Sequence, residues 1–250
     1  MTAPVAIVTG GAGGLGTAIS EVLLGDGFRV ALLDRRGAKE AADHLGEPSH
    51  VLGVEADVTD EESVRAAVGQ VDAAWGRIDA LVNNAGIEPQ HTLADLDPAT
   101  WQATQAVNLT GPALMIKHCI PHWRRIGGGR VVSIGSRVWL GGATSAAYAA
   151  SKAGLVGLTR TACRELGALG VTVNVVAPSF MRTPLNAERG DPEFVEAYAR
   201  RFAAASPLGR LVEPADIAHA VAFLLSARAG AITGEILHVT AGTHLAPHIP

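Results

Sequence analysis

The chain has 250 residues, 48% of them hydrophobic and 18% charged, enough to bury a sizeable core as one large domain or two small ones. A formal charge of -4 and a pI near 6.1 provide no field to draw in a polyanion, which argues against a nucleic-acid partner. The longest apolar runs, such as AVAFLL at 220–225, fall far short of the ~20 residues of a bilayer span, and no basic segment precedes an apolar one at the N-terminus. A soluble, cytoplasmic protein with no membrane partner is expected.

VAIVTG at 5–10 is a short apolar run rich in β-branched residues and ending in glycine, the pattern of a strand buried on both faces. A helical stretch follows over about 14–24. The alternation then recurs: RVALLD (29–34), a helix near 38–45, VLGVEAD (51–57), a helix near 60–75, IDALVNNAG (78–86) and a long helix near 98–123. GRVVSIGS (129–136), a helix near 147–168 and VTVNVVAP (171–178) complete six strand-helix steps. This order predicts an α/β fold: a doubly wound parallel sheet of about seven strands with helices on both faces. No linker or repeat divides the chain, so residues 1–250 are expected to form a single domain. Residues 179–213 break the alternation before a late helix near 214–226, and 184–212 is the expected substrate-binding lid.

Ligands of such sheets bind beyond the carboxyl ends of the strands, where the winding reverses. Residues 9–16, Asp34, Asp57, 83–86, Ser136 and 178–183 all fall just after a predicted strand and so share one sheet edge. The glycine run TGGAGGLG at 9–16 fits G-x-G-x-x-G from Gly11 and T-G-x-x-x-G-x-G from Thr9. In either register it turns into a helix N-terminus whose free N–H groups and positive dipole end suit a phosphate. Asp34 ends the second strand about 20 residues on, where a carboxylate accepts hydrogen bonds from an adenosine ribose and repels a 2′-phosphate. That favours NAD(H) over NADP(H). Arg35 and Arg36 argue the other way, since two guanidiniums can clamp a phosphate.

YAASK at 148–152 places Tyr148 and Lys152 at i and i+4 on one helix face. An ammonium beside a phenol favours the phenolate, bringing a group with a reference pKa of about 10 toward working pH. The chain has only three lysines, at 39, 117 and 152, among 20 basic residues, so a compact amine stands here where arginine is the rule. Cys119 and Cys163 sit in helical apolar patterns and read as core thiols. His118 with His122, and His244 with His248, lack a carboxylate or thiol placed in sequence to complete a metal site, so no metal is expected.

These residues resemble the classical short-chain dehydrogenases/reductases. The likeness covers nearly the whole chain: Thr9-Gly-x-x-x-Gly-x-Gly16, Asp57 with Val58, the NNAG of 83–86, Asn108 in VNLTG, Ser136, Tyr148-x-x-x-Lys152 and a proline-led turn ending at Thr183. It selects the glycine register beginning at Thr9 and implies a Rossmann-type fold. By resemblance, Tyr148 exchanges a proton with the substrate oxygen, Lys152 binds the nicotinamide ribose and lowers the tyrosine pKa, and Ser136 hydrogen-bonds the substrate oxygen. The cofactor is expected on Thr9, Gly10, Gly14, Leu15, Gly16, Asp34, Arg35, Asp57, Val58, Asn84, Ala85, Gly86, Pro178 and Thr183, together with Tyr148 and Lys152. Asn83 steadies the sheet edge. The resemblance also implies a homotetramer in which the helices near 98–123 and 147–168 pack between subunits.

Asn108 has a reading of its own. In an α-helix its carbonyl would accept from the N–H of residue 112, which is a proline, so the carbonyl is expected to be free for the water that in the family extends the proton relay. The chain departs from the family in three places. Ser136 stands twelve residues before Tyr148, which leaves the loop RVWLGGATSAA one residue short; Ser133 is fifteen away. Ser179 follows Pro178 where glycine is usual, and the C-terminus reads HVTAGTHLAPHIP.

The expected pocket lining is Ile87, His91, Arg137, Trp139, Phe180, Met181 and the lid. Arg137 is either a reader of a substrate carboxylate or a rim arginine. The whole predicts an NAD(H)-dependent oxidoreductase interconverting a secondary alcohol and a ketone. The alternatives are an NADPH-dependent reductase of carrier- or CoA-bound 3-oxoacyl groups and a dinucleotide-sensing protein without turnover. A sugar epimerase or dehydratase would need a larger C-terminal lobe.

Overall fold

The computed structural model describes residues 3–46, 48–141, 145–183 and 190–245. Residues 184–189 of the expected lid, 142–144 of the loop after Ser136, and His248 lie outside them. The elements in chain order are β1 (Val5–Thr9), α1 (Gly14–Gly25), β2 (Arg29–Asp34), α2 (Ala38–Leu45), β3 (Val51–Glu55), α3 (Glu61–Trp75), β4 (Ala80–Asn83) and α4 (Pro98–Gln105). A π-helical turn (Ala106–Thr110) joins α4 to α5 (Gly111–Ile126). After these come β5 (Gly129–Ile134), α6 (Ala146–Leu166), β6 (Val171–Pro178), α7 (Pro192–Ala205), α8 (Pro214–Leu225) and β7 (Ile236–Val239). The strand-helix alternation expected from hydrophobic runs is the one observed.

All seven strands form one parallel sheet in the order β3-β2-β1-β4-β5-β6-β7. The inner strands β1, β2, β4, β5 and β6 are buried on both faces because helices cover both, whereas the edge strands β3 and β7 are partly exposed. In β1 the pleat sends Val5 and Ile7 to one apolar layer, shared with α3, α5 and α6, and Ala6 and Val8 to the other, shared with α1 and α8. Ile7, Ile19, Leu23, Leu32 and Leu81 are fully buried, each contributing about 1.5–3 kcal/mol relative to exposure. Asp60 caps α3 by accepting from the Glu62 N–H at 3.0 Å, and Gly76, at φ 72°, ends it.

α3 and α5 are tied across their outer faces. His118 Nε2 lies 3.1 Å from Glu61, His122 Nδ1 3.3 Å from Asp72, and Arg125 bonds Asp72 at 2.5 Å. Folding thus supplies each histidine with one carboxylate from a different helix, which sequence spacing did not foresee. Among the described residues no group of three or more His, Cys, Asp or Glu side chains is placed to hold a metal. Both cysteines are free; burial pushes the Cys119 thiol up to about 12, while Cys163 is only partly covered. Among the described residues no helix is long and apolar enough to cross a membrane.

β1 pairs with β2 on one side and β4 on the other, so the winding reverses between β1 and β4. The loops after these strands diverge to opposite faces and leave a crevice at their carboxyl ends.

Candidate active site

A cleft of about 360 Å³ occupies that crevice. Its floor is the glycine loop. Gly10 takes φ 63°, and a Cβ there would lie 2.9 Å from the Ala85 Cα. At Gly16 a Cβ would drive into the Gly10 carbonyl oxygen and lie 2.8 Å from the Gly11 Cα. Gly10, Gly13, Gly14, Leu15 and Gly16 line the cleft, whereas Gly11 packs against Leu32 and does not. All three glycines of the register beginning at Thr9 therefore face the cleft, while the register beginning at Gly11 lacks its first there. Gly13 caps α1 with extended backbone and no side chain, and no acidic residue stands in the first turn, which leaves that turn's N–H groups to a ligand.

Thr9, expected at the cofactor, is 2% exposed and does not line the cleft. Its hydroxyl accepts from the N–H groups of Asn84 and Ala85 at 3.0 and 3.1 Å and lies 3.4 Å from the Val82 carbonyl. The Asn84 amide nitrogen in turn donates to the carbonyls of Thr9 and Gly10, each at 3.0 Å. Thr9 is thus a staple between the β1 and β4 ends, beneath the wall that Asn84, Ala85 and Gly86 present. Threonine in a glycine motif gives no local sign of which side it faces.

At the far end of the cleft Asp34 accepts from the Ala12 N–H at 3.1 Å and from the Arg35 N–H at 2.7 Å, tying the glycine loop to the end of β2. Asp57 accepts from the Thr59 hydroxyl at 2.7 Å and its N–H at 2.9 Å; these bonds, with the Arg35 charge, hold its carboxyl below the usual range. Asp34, Arg35, Asp57 and Val58 all line the cleft, and Arg36 does not.

α6 brings Tyr148 and Lys152 in from the other face. Ser145 caps it, accepting from the Tyr148 N–H at 3.4 Å. Tyr148 and Lys152 are 8% and 5% exposed and both line the cleft. Lys152 Nζ donates to the Ile134 carbonyl at 2.8 Å and stands 5.5 Å from the centre of the Tyr148 ring. Burial lowers the amine to about 8, opposed by the charge of Glu88, so most of it carries its proton at neutral pH. Ser136 lines the cleft, and its Oγ lies 3.4 Å from the Val138 N–H. Ser133 is buried away from the cleft, 3.3 Å from the Asn83 amide nitrogen. Of the two serines, Ser136 shares the cleft lining with Tyr148 and Ser133 does not.

Asn108 does not line the cleft and is 1% exposed. Its side chain bonds the N–H and carbonyl of Ile87, both at 2.9 Å, and the Ser151 hydroxyl at 3.0 Å, locking the segment after β4 to α6. The expectation of a free carbonyl assumed α-helical spacing. The chain instead widens into the π-turn, where the Gly111 N–H reaches back to the Ala106 carbonyl, so the partner of Asn108 cannot be counted four residues on.

Phe180, Met181, Tyr198 and Phe202 close the outer wall with Ile87, Val107 and Val138. α7 supplies Tyr198 and Phe202, whose rings pack on each other at 4.9 Å and on Phe180 at 5.1 and 5.5 Å. Glu88, Val107 and Val138 were not singled out in the sequence, because nothing in their local pattern marks them as cleft residues. Pro178, Thr183 and Arg137 line the cleft as expected, but His91 and Trp139 do not. His91 Nδ1 lies 3.0 Å from the Thr92 carbonyl. Trp139 turns away, its indole N–H donating to His238 Nε2 at 3.2 Å, and His238 stacks on His244 at 4.7 Å.

That stack is sensitive to acid. Burial, then the neighbouring His244, pull the His238 pKa below its ordinary 6.5. The unfolded chain therefore binds the proton more tightly than the folded one, and stability present above pH 6.5 falls as pH drops through the folded value. Thermal melts should show Tm falling below that pH, and falling less in His238→Gln, which keeps an acceptor for Trp139 without a titrating ring.

A nucleotide-sized cleft with a glycine-floored helix N-terminus at one side, a carboxylate after β2, and a tyrosine-lysine pair over the middle defines a dinucleotide-dependent oxidoreductase scaffold. The comparisons agree. The family model described as enoyl-(acyl carrier protein) reductase matches residues 10–244. The cis-4-hydroxycyclohexanecarboxylate dehydrogenase of Sinomonas cyclohexanicum is 42% identical over 242 residues, 95% of each chain. Among solved structures, levodione reductase superposes with a TM-score of 0.90 at 33% identity, covering 97% of this chain and 98% of that one. The 3-ketoacyl-(acyl-carrier-protein) reductase of Brucella melitensis, complexed with NADH, gives 0.87 at 30% identity, covering 96% and 98%. The chain belongs to the classical short-chain dehydrogenase/reductase family.

Proposed function

We propose that the protein is an NAD(H)-dependent oxidoreductase that interconverts a secondary alcohol and a ketone. The observation that carries this reading is the meeting of Tyr148 and Lys152, from α6, with the glycine loop of β1 in one cleft. The nicotinamide, when bound, supplies or accepts a hydride. Tyr148 Oη transfers the accompanying proton at the substrate oxygen, and the ammonium of Lys152 favours the phenolate that accepts this proton in the oxidative direction and is left behind in the reductive one. Ser136 Oγ holds the same oxygen. Asn108 acts at one remove, as a positioning residue that fixes Gly86 and α6: a Cβ at Gly86 would lie 3.4 Å from Asn108 Oδ1 and 3.7 Å from Lys152 Nζ. The test is a panel of secondary alcohols and ketones with NAD and NADH, followed at the reduced-nicotinamide absorbance. Hydroxycyclohexanecarboxylates enter that panel on the strength of the named dehydrogenase relative. Absence of turnover across the panel would count against the reading.

Preference for NAD rests on Asp34, a carboxylate at the ribose end of the cleft with no cation clamped to it among its hydrogen-bond partners. Asp34→Ser keeps an acceptor for Ala12 while removing the charge that repels a 2′-phosphate, and Arg35 stands beside it in the lining. The ratio of NADH to NADPH affinity, read by fluorescence titration, should fall by about two orders of magnitude. An unchanged ratio would move the selectivity elsewhere and reopen the NADPH-dependent 3-oxoacyl reading.

A further inference from the structure

One cation in the cleft is not used by the proton chemistry. Arg137 follows Ser136 directly and opens a 3-10 turn, so the backbone that presents the serine hydroxyl also presents this guanidinium. It lies over the Phe202 ring, 5.1 Å from the centroid, on the wall built by α7. Burial weighs against its charge, and among the described residues Tyr198 acts electrostatically in the opposite direction. Among the described residues no carboxylate pairs with it and no acceptor takes its N–H groups. Arginine does not discharge in proteins, so the fold holds here a half-buried charge that no carboxylate among the described residues opposes, of the kind that elsewhere is paired.

The surroundings narrow what would pair with it. Arg35, the other arginine of the lining, acts on Asp57 at the far end, and Lys152 is committed to the Ile134 carbonyl. Arg182, on the same outer segment as Phe180, is exposed and bonded to Glu196 at 3.0 and 3.2 Å. A single unopposed cation suits a monoanion, whereas a phosphate dianion would call for a second. Phe180, Met181, Tyr198 and Phe202 make the adjoining surface apolar and largely aromatic.

The geometry points to Arg137 as the receptor of a substrate carboxylate, held by the guanidinium fork while an apolar ring or short chain spans to the reacting carbon beside Ser136 and Tyr148. The substrate class is then a hydroxy acid or keto acid whose carboxylate is remote from the reacting carbon. This rests on the alcohol/ketone reading of the Tyr148 site.

The test compares kcat/KM for a hydroxycyclohexanecarboxylate and its methyl ester in wild type, Arg137→Met and Arg137→Lys, with melting curves for each. The wild type should prefer the free acid by about 100-fold, Arg137→Met should bring the ratio near one, and Arg137→Lys, with charge but no fork, should fall between. Calorimetric titration with cyclohexanecarboxylate, which cannot react, should show binding about 100-fold weaker in Arg137→Met. A wild type that turns over acid and ester equally, or a ratio unmoved by both substitutions, would overturn the assignment. If Arg137→Met melts early, the Arg137→Lys ratio decides. Failure of every alcohol and ketone to react would instead strike the proposed function, while the calorimetry would still report on Arg137.

Discussion

Phenylalanine at position 148 should lower kcat by about three orders of magnitude while leaving NADH affinity within about threefold of wild type. The substitution deletes one oxygen and keeps the ring that packs at the cleft wall, where Tyr148 is 8% exposed. The loss should fall on kcat and kcat/KM together, since the proton moves only as the reacting carbon changes hybridisation. Steady-state rates with the best alcohol of the panel, beside a fluorescence titration with NADH, separate chemistry from binding. A variant turning over at a near-normal rate would place the proton step on another group and remove the basis of the proposed function.

Alanine at position 16 is expected to be strongly damaging. The added carbon would meet the Gly10 carbonyl oxygen and the Gly11 Cα, both backbone, so no side-chain rotation relieves it. The glycine loop must shift away from α1, at a cost of about 3 kcal/mol, and the N–H groups of the first turn move with it. Tm should fall by about 6–12 °C, and NADH affinity should drop by at least about tenfold. Gly69→Ala is the matching control, because Gly69 lies exposed within α3 with nothing within 4 Å of its prospective Cβ. That change should raise stability by about 0.5–1 kcal/mol. Equal melting temperatures for the two variants would show that the loop yields freely and that Gly16 is not the tight contact described.

The two substitutions probe different levels of legibility. The need for glycine at position 16 was visible as a motif, and its cause, the approach of a loop carbonyl to a helix, becomes visible only in three dimensions. Asp34, Asp57 and Ser136 were legible because a buried parallel strand writes itself as an apolar run, and whatever follows it must emerge at the carboxyl edge. Tyr148 and Lys152 were legible because helical spacing sets two side chains on one face before any tertiary contact is made. Thr9 and Trp139 were misplaced for a common reason. They flank cleft residues in sequence, yet whether each faces the ligand or a neighbouring strand is decided by partners far along the chain: Asn84 for Thr9 and His238 for Trp139. Asn108 was placed in the right region, but the wrong helical geometry was assumed, because a π-turn depends on how α4 and α5 pack and leaves no mark in a periodicity count.

By itself the sequence determined the alternating architecture, the sheet edge at which the cleft lies, the glycine-loop register once the family resemblance was used, and the tyrosine-lysine pair. Each follows from local spacing, which sets the direction of a side chain relative to its own strand or helix. Only the tertiary structure decided that Thr9 staples two strands instead of lining the site, and that Arg137 stands without a counter-charge among the described residues. Those depend on the distance between segments remote in the chain, and a charge is paired or unpaired only once every other segment has taken its place.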